Sequence, residues 1–202
     1  MKKFITLTLA LCMALSASIC ASAAEVNTDG GSGSTPVYLS STEDGTLDGD
    51  PSATAMSVTV PTALPMAMSQ TGDVTTADNC QIINNSYGAV RVKSVNITAE
   101  NGWRLTSFGD KSTLASEKVD SNKLGFALSI GGGSQVMTDT SDESTQMLIS
   151  SPIAGCYMSG SGNPSSNTVS VDYDAIVTPL SNAVTNANIA YVVFVIEWDT
   201  TA

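Results

Sequence analysis

Two long stretches of this chain alternate apolar and polar side chains with a period of two, and that period limits the fold more than any other feature. Val90-Arg91-Val92-Lys93-Ser94-Val95-Asn96-Ile97-Thr98 alternates, slips phase near Lys93-Ser94 and resumes. This predicts a strand with a β-bulge whose Val90, Val92, Val95 and Ile97 face inward. Val169 to Val177 alternates without interruption, and Ile189 to Trp198 is nearly continuously apolar, the pattern of a strand at a sheet centre. Shorter strand candidates are Pro36–Ser40, Met56–Pro61, Leu64–Met68, Cys80–Asn84, Trp103–Leu105, Gly125–Ile130 and Met147–Ile149. Asn85–Gly88 and Asn101-Gly102 have turn compositions. Helical patterning is confined to Ser112–Lys118 and Pro179–Val184. Short strands separated by turns predict an all-β sandwich of Ig-like or jelly-roll type, preceded by a flexible N-terminal leader.

The organisation along the chain is equally simple. Lys2 and Lys3 precede a charge-free apolar run to Ile19, and Ala21-Ser22-Ala23 has the small-x-small form of a cleavage site, so residues 1–23 are expected to be a secretory signal peptide. Residues 24–53 are polar, Gly-rich and acidic and are expected to be a flexible leader. Residues 54–202 are expected to form one β-sandwich domain. These assignments place the protein outside the cell or on its surface, with no membrane span once the signal is removed.

Charge and residue types restrict the chemistry. Loss of Lys2 and Lys3 leaves six basic residues against nineteen acids, a net charge of −13. Such a chain repels nucleic acid. There is no histidine, so Ser–His and Cys–His nucleophile systems are excluded, as are the usual His-containing zinc sites. No serine stands three positions before Lys93, Lys111, Lys118 or Lys123, which removes a Ser-x-x-Lys nucleophile. Asp172 and Asp174 share a face, but alternation places Val171, Tyr173 and Ala175 on the opposite, inner one, so the pair is expected in solvent. The expectation is a chain that is not an enzyme and has no cofactor. The one metal to weigh is calcium, at the acidic run Glu43–Asp50, whose hard oxygen donors suit it although the spacing is not that of an EF-hand. Cys80 and Cys156 remain after signal removal; outside the cytosol they form a possible disulfide, the alternative being two separate buried thiols.

Trp103-Arg104-Leu105 and the terminal Val195-Ile196-Glu197-Trp198 resemble the two tryptophan motifs of the WxL-type surface domains of Gram-positive bacteria. Val58-Thr59-Val60-Pro61-Thr62 and Ile82-Ile83-Asn84-Asn85-Ser86 are similar to stretches of small secreted surface proteins of clostridia-like bacteria. The distal motif departs from the family's Trp-x-Leu, since Asp199-Thr200 follow Trp198. The resemblance implies an all-β fold and non-covalent attachment to the cell wall, with Trp103, Leu105 and Trp198 as the candidate wall-binding residues. The alternative role for the two tryptophans is packing, with Trp198 expected in the core beside Val192, Phe194 and Ile196.

The expected function is that of a secreted, non-covalently wall-associated surface protein with a structural or adhesive role, whose partners are a cell-wall polymer or other surface proteins. A fibre, pilus-like or biofilm-matrix subunit that self-associates by adding a strand to a neighbour's sheet edge is the alternative. A soluble module for glycan or host protein is a third reading, with Tyr38, Tyr87, Tyr157, Tyr173 and Tyr191 as its scattered tyrosines.

Overall fold

A computed structural model describes residues 24–25, 27–36, 55–69 and 73–200. The expected signal peptide (residues 1–23), the expected strand residues Val37–Ser40 and the acidic run Glu43–Asp50 lie outside them. The described residues form strands β1 (Ala24–Glu25), β2 (Ser32–Pro36), β3 (Val58–Val60), β4 (Met66–Met68), β5 (Val74–Thr76), β6 (Gln81–Asn84), β7 (Val90–Ala99) and β8 (Arg104–Thr106). After the one-turn helix α1 (Lys111–Ala115) come β9 (Lys123–Ile130), β10 (Val136–Met137), β11 (Ser141–Glu143), β12 (Thr145–Ile149), β13 (Tyr157–Met158), β14 (Thr168–Val177) and β15 (Ala190–Trp198). The fold is an all-β sandwich. One sheet has the order β1-β3-β6-β14-β9-β8-β11 with β10 also on β9, and the other has the order β12-β7-β15-β2 with β13 also on β7. A separate hairpin, β4-β5, stands outside both sheets.

Side-chain alternation explains the long strands. Val90, Val92, Val95 and Ile97 of β7 are fully buried, as are Val192, Phe194 and Ile196 of β15, and these faces meet Leu124, Phe126, Leu128 and Ile130 of β9 across the core. The phase slip in β7 is a bulge: Val195 pairs with Ser94 but Ile196 pairs with Val92, leaving Lys93 as the extra residue. The extra residue lets both inward pairs, Val90 and Val92 before it and Val95 and Ile97 after it, face the core. On β14, Val169, Val171, Tyr173 and Ala175 are buried while Asp172 and Asp174 are exposed, so the two carboxylates stand in solvent.

Several expectations require correction. Of the stretch read as flexible leader, Ala24–Glu25 pairs with β3 and Ser32–Pro36 pairs antiparallel with β15. Main-chain pairing at a sheet edge orders a segment that has no hydrophobic pattern of its own. Pro179–Val184 is not helical but bends. Helix α1 is only five residues long, capped by Asp110, whose carboxylate accepts from the Ser112 amide. Cys80 and Cys156 are both buried and no disulfide joins them; burial pushes the Cys156 thiol pKa up. Trp198 shares the inner face of β15 as expected, but it is the last residue of the strand and is only partly buried.

One end of the sandwich is closed by buried polar groups. Asn84 is inaccessible, and its Nδ2 donates to the carbonyls of Gly88 and Ser159, each at 2.8 Å, while its Oδ1 accepts from the Ser86 amide at 2.9 Å. Ser86 is also inaccessible; its Oγ accepts from Ser57 N at 2.8 Å and donates to Ser57 O at 3.1 Å. These bonds tie β6 to the segment before β3 and to the turn after β13. Trp198 packs over this end: a Cβ on Gly88 would sit 3.0 Å from the indole ring. Asn84→Ala would strand two carbonyls and an amide, and a buried unpaired polar group costs about 1–3 kcal/mol. Urea denaturation should therefore show Asn84→Ala less stable by about 3 kcal/mol or more with an unchanged m-value.

Candidate functional site

The opposite end of the sandwich is open. A cleft of about 570 Å³ lies there between the β4-β5 hairpin on one side and the loop 180–187 on the other, with Trp103, Val177 and Ile189 among its lining residues. Among the described residues that line it, none is charged. In a chain of net charge −11 this is a local exception, and these residues offer a ligand no ion pair. Met66, Met68, Val74, Leu180 and Val184 supply apolar surface, and Thr75, Thr76, Asn182, Thr185 and Asn186 supply neutral hydrogen-bonding groups. Met68 and Val184 are exposed, at 38% and 59%. Flexible, polarisable Met side chains adapt to the shape of what they contact.

Each wall is held by polar anchors outside the cleft. Buried Tyr173 on β14 donates its hydroxyl to the carbonyl of Pro65 and accepts from the amide of Ala77 at 3.1 Å, so one hydroxyl fastens the entry and exit of the β4-β5 hairpin. Its ring is stacked on Phe126 with centroids 6.0 Å apart. The loop on the other side starts from buried Thr178, whose Oγ1 accepts from Lys123 N at 3.1 Å. It is then held by Asp120, whose amide donates to Pro179 O at 2.9 Å and whose carboxylate accepts from Ser181 N at 2.8 Å. Hydrogen bonding from Ser181 holds the Asp120 carboxyl below its ordinary value.

Trp103 is positioned by the turn before it. Asn101 and Gly102 have φ of 52° and 84°, two successive left-handed residues as a tight reversing turn requires. The amide of Trp103 donates to Glu100 O at 2.9 Å, and Asn101 Nδ2 donates to Asn188 O at 2.8 Å, which pins the turn beside the start of β15. The expected triplet then divides among three environments. Trp103 is partly buried and lines the cleft, Arg104 points to solvent and donates to Asp142 O at 2.9 Å, and Leu105 is 0% exposed in the core. Leu105 is therefore corrected from a wall-binding candidate to a packing residue, because it offers no surface to a polymer.

Trp198 does not join Trp103. It pairs with Val90 at the first residue of β7, whereas Trp103 lies beyond Ala99 at the last. Ten residues of strand at about 3.3 Å each separate the two ends by roughly 30 Å. Beside Trp198, Arg91 donates to Glu197 Oε1 at 2.8 Å and lies 3.6 Å from Asp199, and Lys93 lies 3.0 Å from Glu197. Burial disfavours the charged form of Glu197, yet hydrogen bonds from Lys93 and Arg91 outweigh it and hold this carboxyl below its ordinary value. That end is a paired, charged surface. Sequence reasoning missed the residues that build the cleft, since the methionines, the 180–187 loop and Tyr173 come together only through the fold. Among the described residues no three His, Cys, Asp or Glu side chains gather to hold a metal ion, and no helix is long and apolar enough to cross a membrane.

Two outcomes follow from the anchors. Tyr173→Phe keeps the ring but removes both hydroxyl bonds, so it should cost about 1–3 kcal/mol and raise amide exchange in β4 and β5 while β9 and β14 stay protected. Asp120 is depressed in the folded state, so its contribution is full above its unfolded pKa of about 3.9 and is lost as pH falls through the lower folded value. Trp103 emission should therefore be constant from roughly pH 7 to 5 and shift toward that of a solvated indole as pH falls below about 4.

No family model matches the sequence, and no curated protein or solved structure matches it.

Proposed function

We propose that this chain is an exported, non-catalytic surface protein that attaches non-covalently to the cell wall by seating an uncharged portion of a wall component in the cleft at Trp103. The observation that carries this reading is the cleft itself: a partly exposed tryptophan from the Trp-x-Leu motif lines an open, uncharged cavity on a strongly acidic protein. An indole face binds by area and by its π-surface without needing a counter-charge. The neutral Asn and Thr side chains at the rim supply orientation in the manner usual for small-ligand sites. The absence of histidine in the whole chain supports the non-catalytic part of the reading, and the apolar segment Phe4–Ile19 with Ala21-Ser22-Ala23 supports export. The resemblance of Trp103-Arg104-Leu105 to WxL-type domains supports the wall as the target, with Trp103 as the contact residue and Trp198 as packing.

The test is co-sedimentation of the protein lacking residues 1–23 with purified Gram-positive cell walls. It should pellet with the walls, and pelleting should survive added salt because no ion pair in the cleft is screened. Trp103→Ala should weaken pelleting at least tenfold. Trp198→Ala, at the other end of the sandwich, should pellet like the parent while lowering the denaturation midpoint. If the parent stays in the supernatant at every pH and salt concentration, wall attachment is refuted. If both tryptophan variants lose pelleting in proportion to lost stability, the cleft is not the contact.

A further inference from the structure

The sheet containing β7 ends on one side with β2, and β2 is an unusual edge strand. β15 pairs over nine residues with β7 on one side. Its other side is covered by the segment 29–36. The amide of Trp198 donates to Asp29 Oδ1 at 3.0 Å, the amide of Ile196 donates to Gly31 O at 3.0 Å, and Val195 to Tyr191 pair in register with Ser32 to Pro36. The covered strand, Ala190-Tyr191-Val192-Val193-Phe194-Val195-Ile196, is the most apolar and β-branched in the chain. Left open, such an edge is a template for any extended chain. The covering strand, Ser32-Gly33-Ser34-Thr35-Pro36, carries no Val, Ile, Leu, Met or aromatic residue. It cannot be selected by large side chains fitting a pocket, so its hold is main-chain hydrogen bonding, which is identical whichever copy of the chain supplies it.

We infer that the arm 29–36 is exchangeable, and that the β15 edge of one molecule accepts the arm of a second copy of the same chain. Own-arm and exchanged pairing make the same bonds. The balance between them is set by concentration against the tether, residues 37–54, which at about 3.3 Å per residue extends to at most roughly 60 Å. A tether of this length gives an effective concentration on the order of millimolar. Dilute protein therefore closes on its own arm, and exchange becomes comparable when the local concentration reaches that range, as it does for a protein crowded on a surface. One-way donation from copy to copy gives open chains, and mutual donation gives closed dimers. Each copy without residues 1–23 has a net charge of −13, so repulsion opposes exchange at low ionic strength and salt promotes it. This inference does not depend on the cleft or on any wall ligand.

The test uses full-length mature chains carrying complementary cysteines at the register partners Ser34 and Val193. The double variant Ser34→Cys/Val193→Cys, oxidised at micromolar concentration, should form an intramolecular bridge read by mass. The single variants Ser34→Cys and Val193→Cys, mixed in equal amounts at about 1 mM and refolded together before oxidation, should give mixed covalent dimers at least tenfold above either variant alone, with yield rising as salt is added. Double variant bridged before mixing should give none with either single variant. Quantitative intramolecular bridging with no mixed dimer above the single-variant background would show that the arm stays with its own chain. Failure of the double variant to bridge would show that 32–36 does not lie on β15, and the inference would fall with it.

Discussion

The antiparallel pairing of β15 with β7 is the interaction on which the rest of this protein is built. It joins the last strand to a strand from the middle of the chain over nine residues, and its inner faces supply Val90, Val92, Val95, Ile97, Val192, Phe194 and Ile196 to the core. At about 25 cal/mol per Å² of apolar surface, contributions of this kind are what offset the entropy of ordering so many short strands. The bulge at Lys93 adjusts this pairing locally. Without the extra residue the two halves of β7 would present their valines to opposite faces, and half of that burial would be lost. Both ends of the sandwich are defined by where this strand pair stops: Trp198 and Val90 mark one, Ala190 and Ala99 the other.

The two ends then diverge in their chemistry. At the Trp198 end, Asn84 and Ser86 use their hydrogen-bonding capacity inside the protein, and the Arg91, Lys93, Glu197 and Asp199 cluster neutralises itself on the outside. Polar groups satisfied in this way resist rearrangement because each bond broken leaves a partner buried and alone. At the Trp103 end the anchoring groups, Tyr173, Thr178 and Asp120, sit behind the walls, and the walls themselves present neutral, partly exposed side chains. A closed end and an open end thus come from the placement of a few hydroxyl, amide and carboxyl groups rather than from a difference in fold.

What the sequence made legible is what side-chain burial decides. The inward residues of β7, the bulge at Lys93-Ser94, the outward aspartates 172 and 174 and the Asn101-Gly102 turn are each written in a residue pattern, because burying one face of a strand requires period two and a tight reversal requires positive φ. Elements paired at a sheet edge without apolar alternation in their own sequence left no such mark. β2 and β11, with sequences Ser-Gly-Ser-Thr-Pro and Ser-Asp-Glu, are strands because a neighbour offers them an edge. The cleft was illegible for a further reason: its lining residues run from Pro65 to Ile189 along the chain, and the hairpin wall is brought to its place by long-range contacts, among them the hydroxyl bonds of Tyr173 and the packing of Met66 and Val74 on the core.

The separation of the tryptophans also bears on how a two-motif signature is to be read. A ligand contacted by both indoles at once would have to reach along the whole length of β7. Trp198 is instead accounted for locally, by its contact with Gly88 and its place at the end of the core row Val192, Phe194, Ile196. Trp103 is also partly buried and packed against the core, but its turn is pinned by Asn101 and its side chain lines the cleft as well. An indole held at the wall of an uncharged cavity by a fixed turn has its ordering cost met before any ligand arrives, and that is the condition under which one aromatic side chain contributes most to recognition.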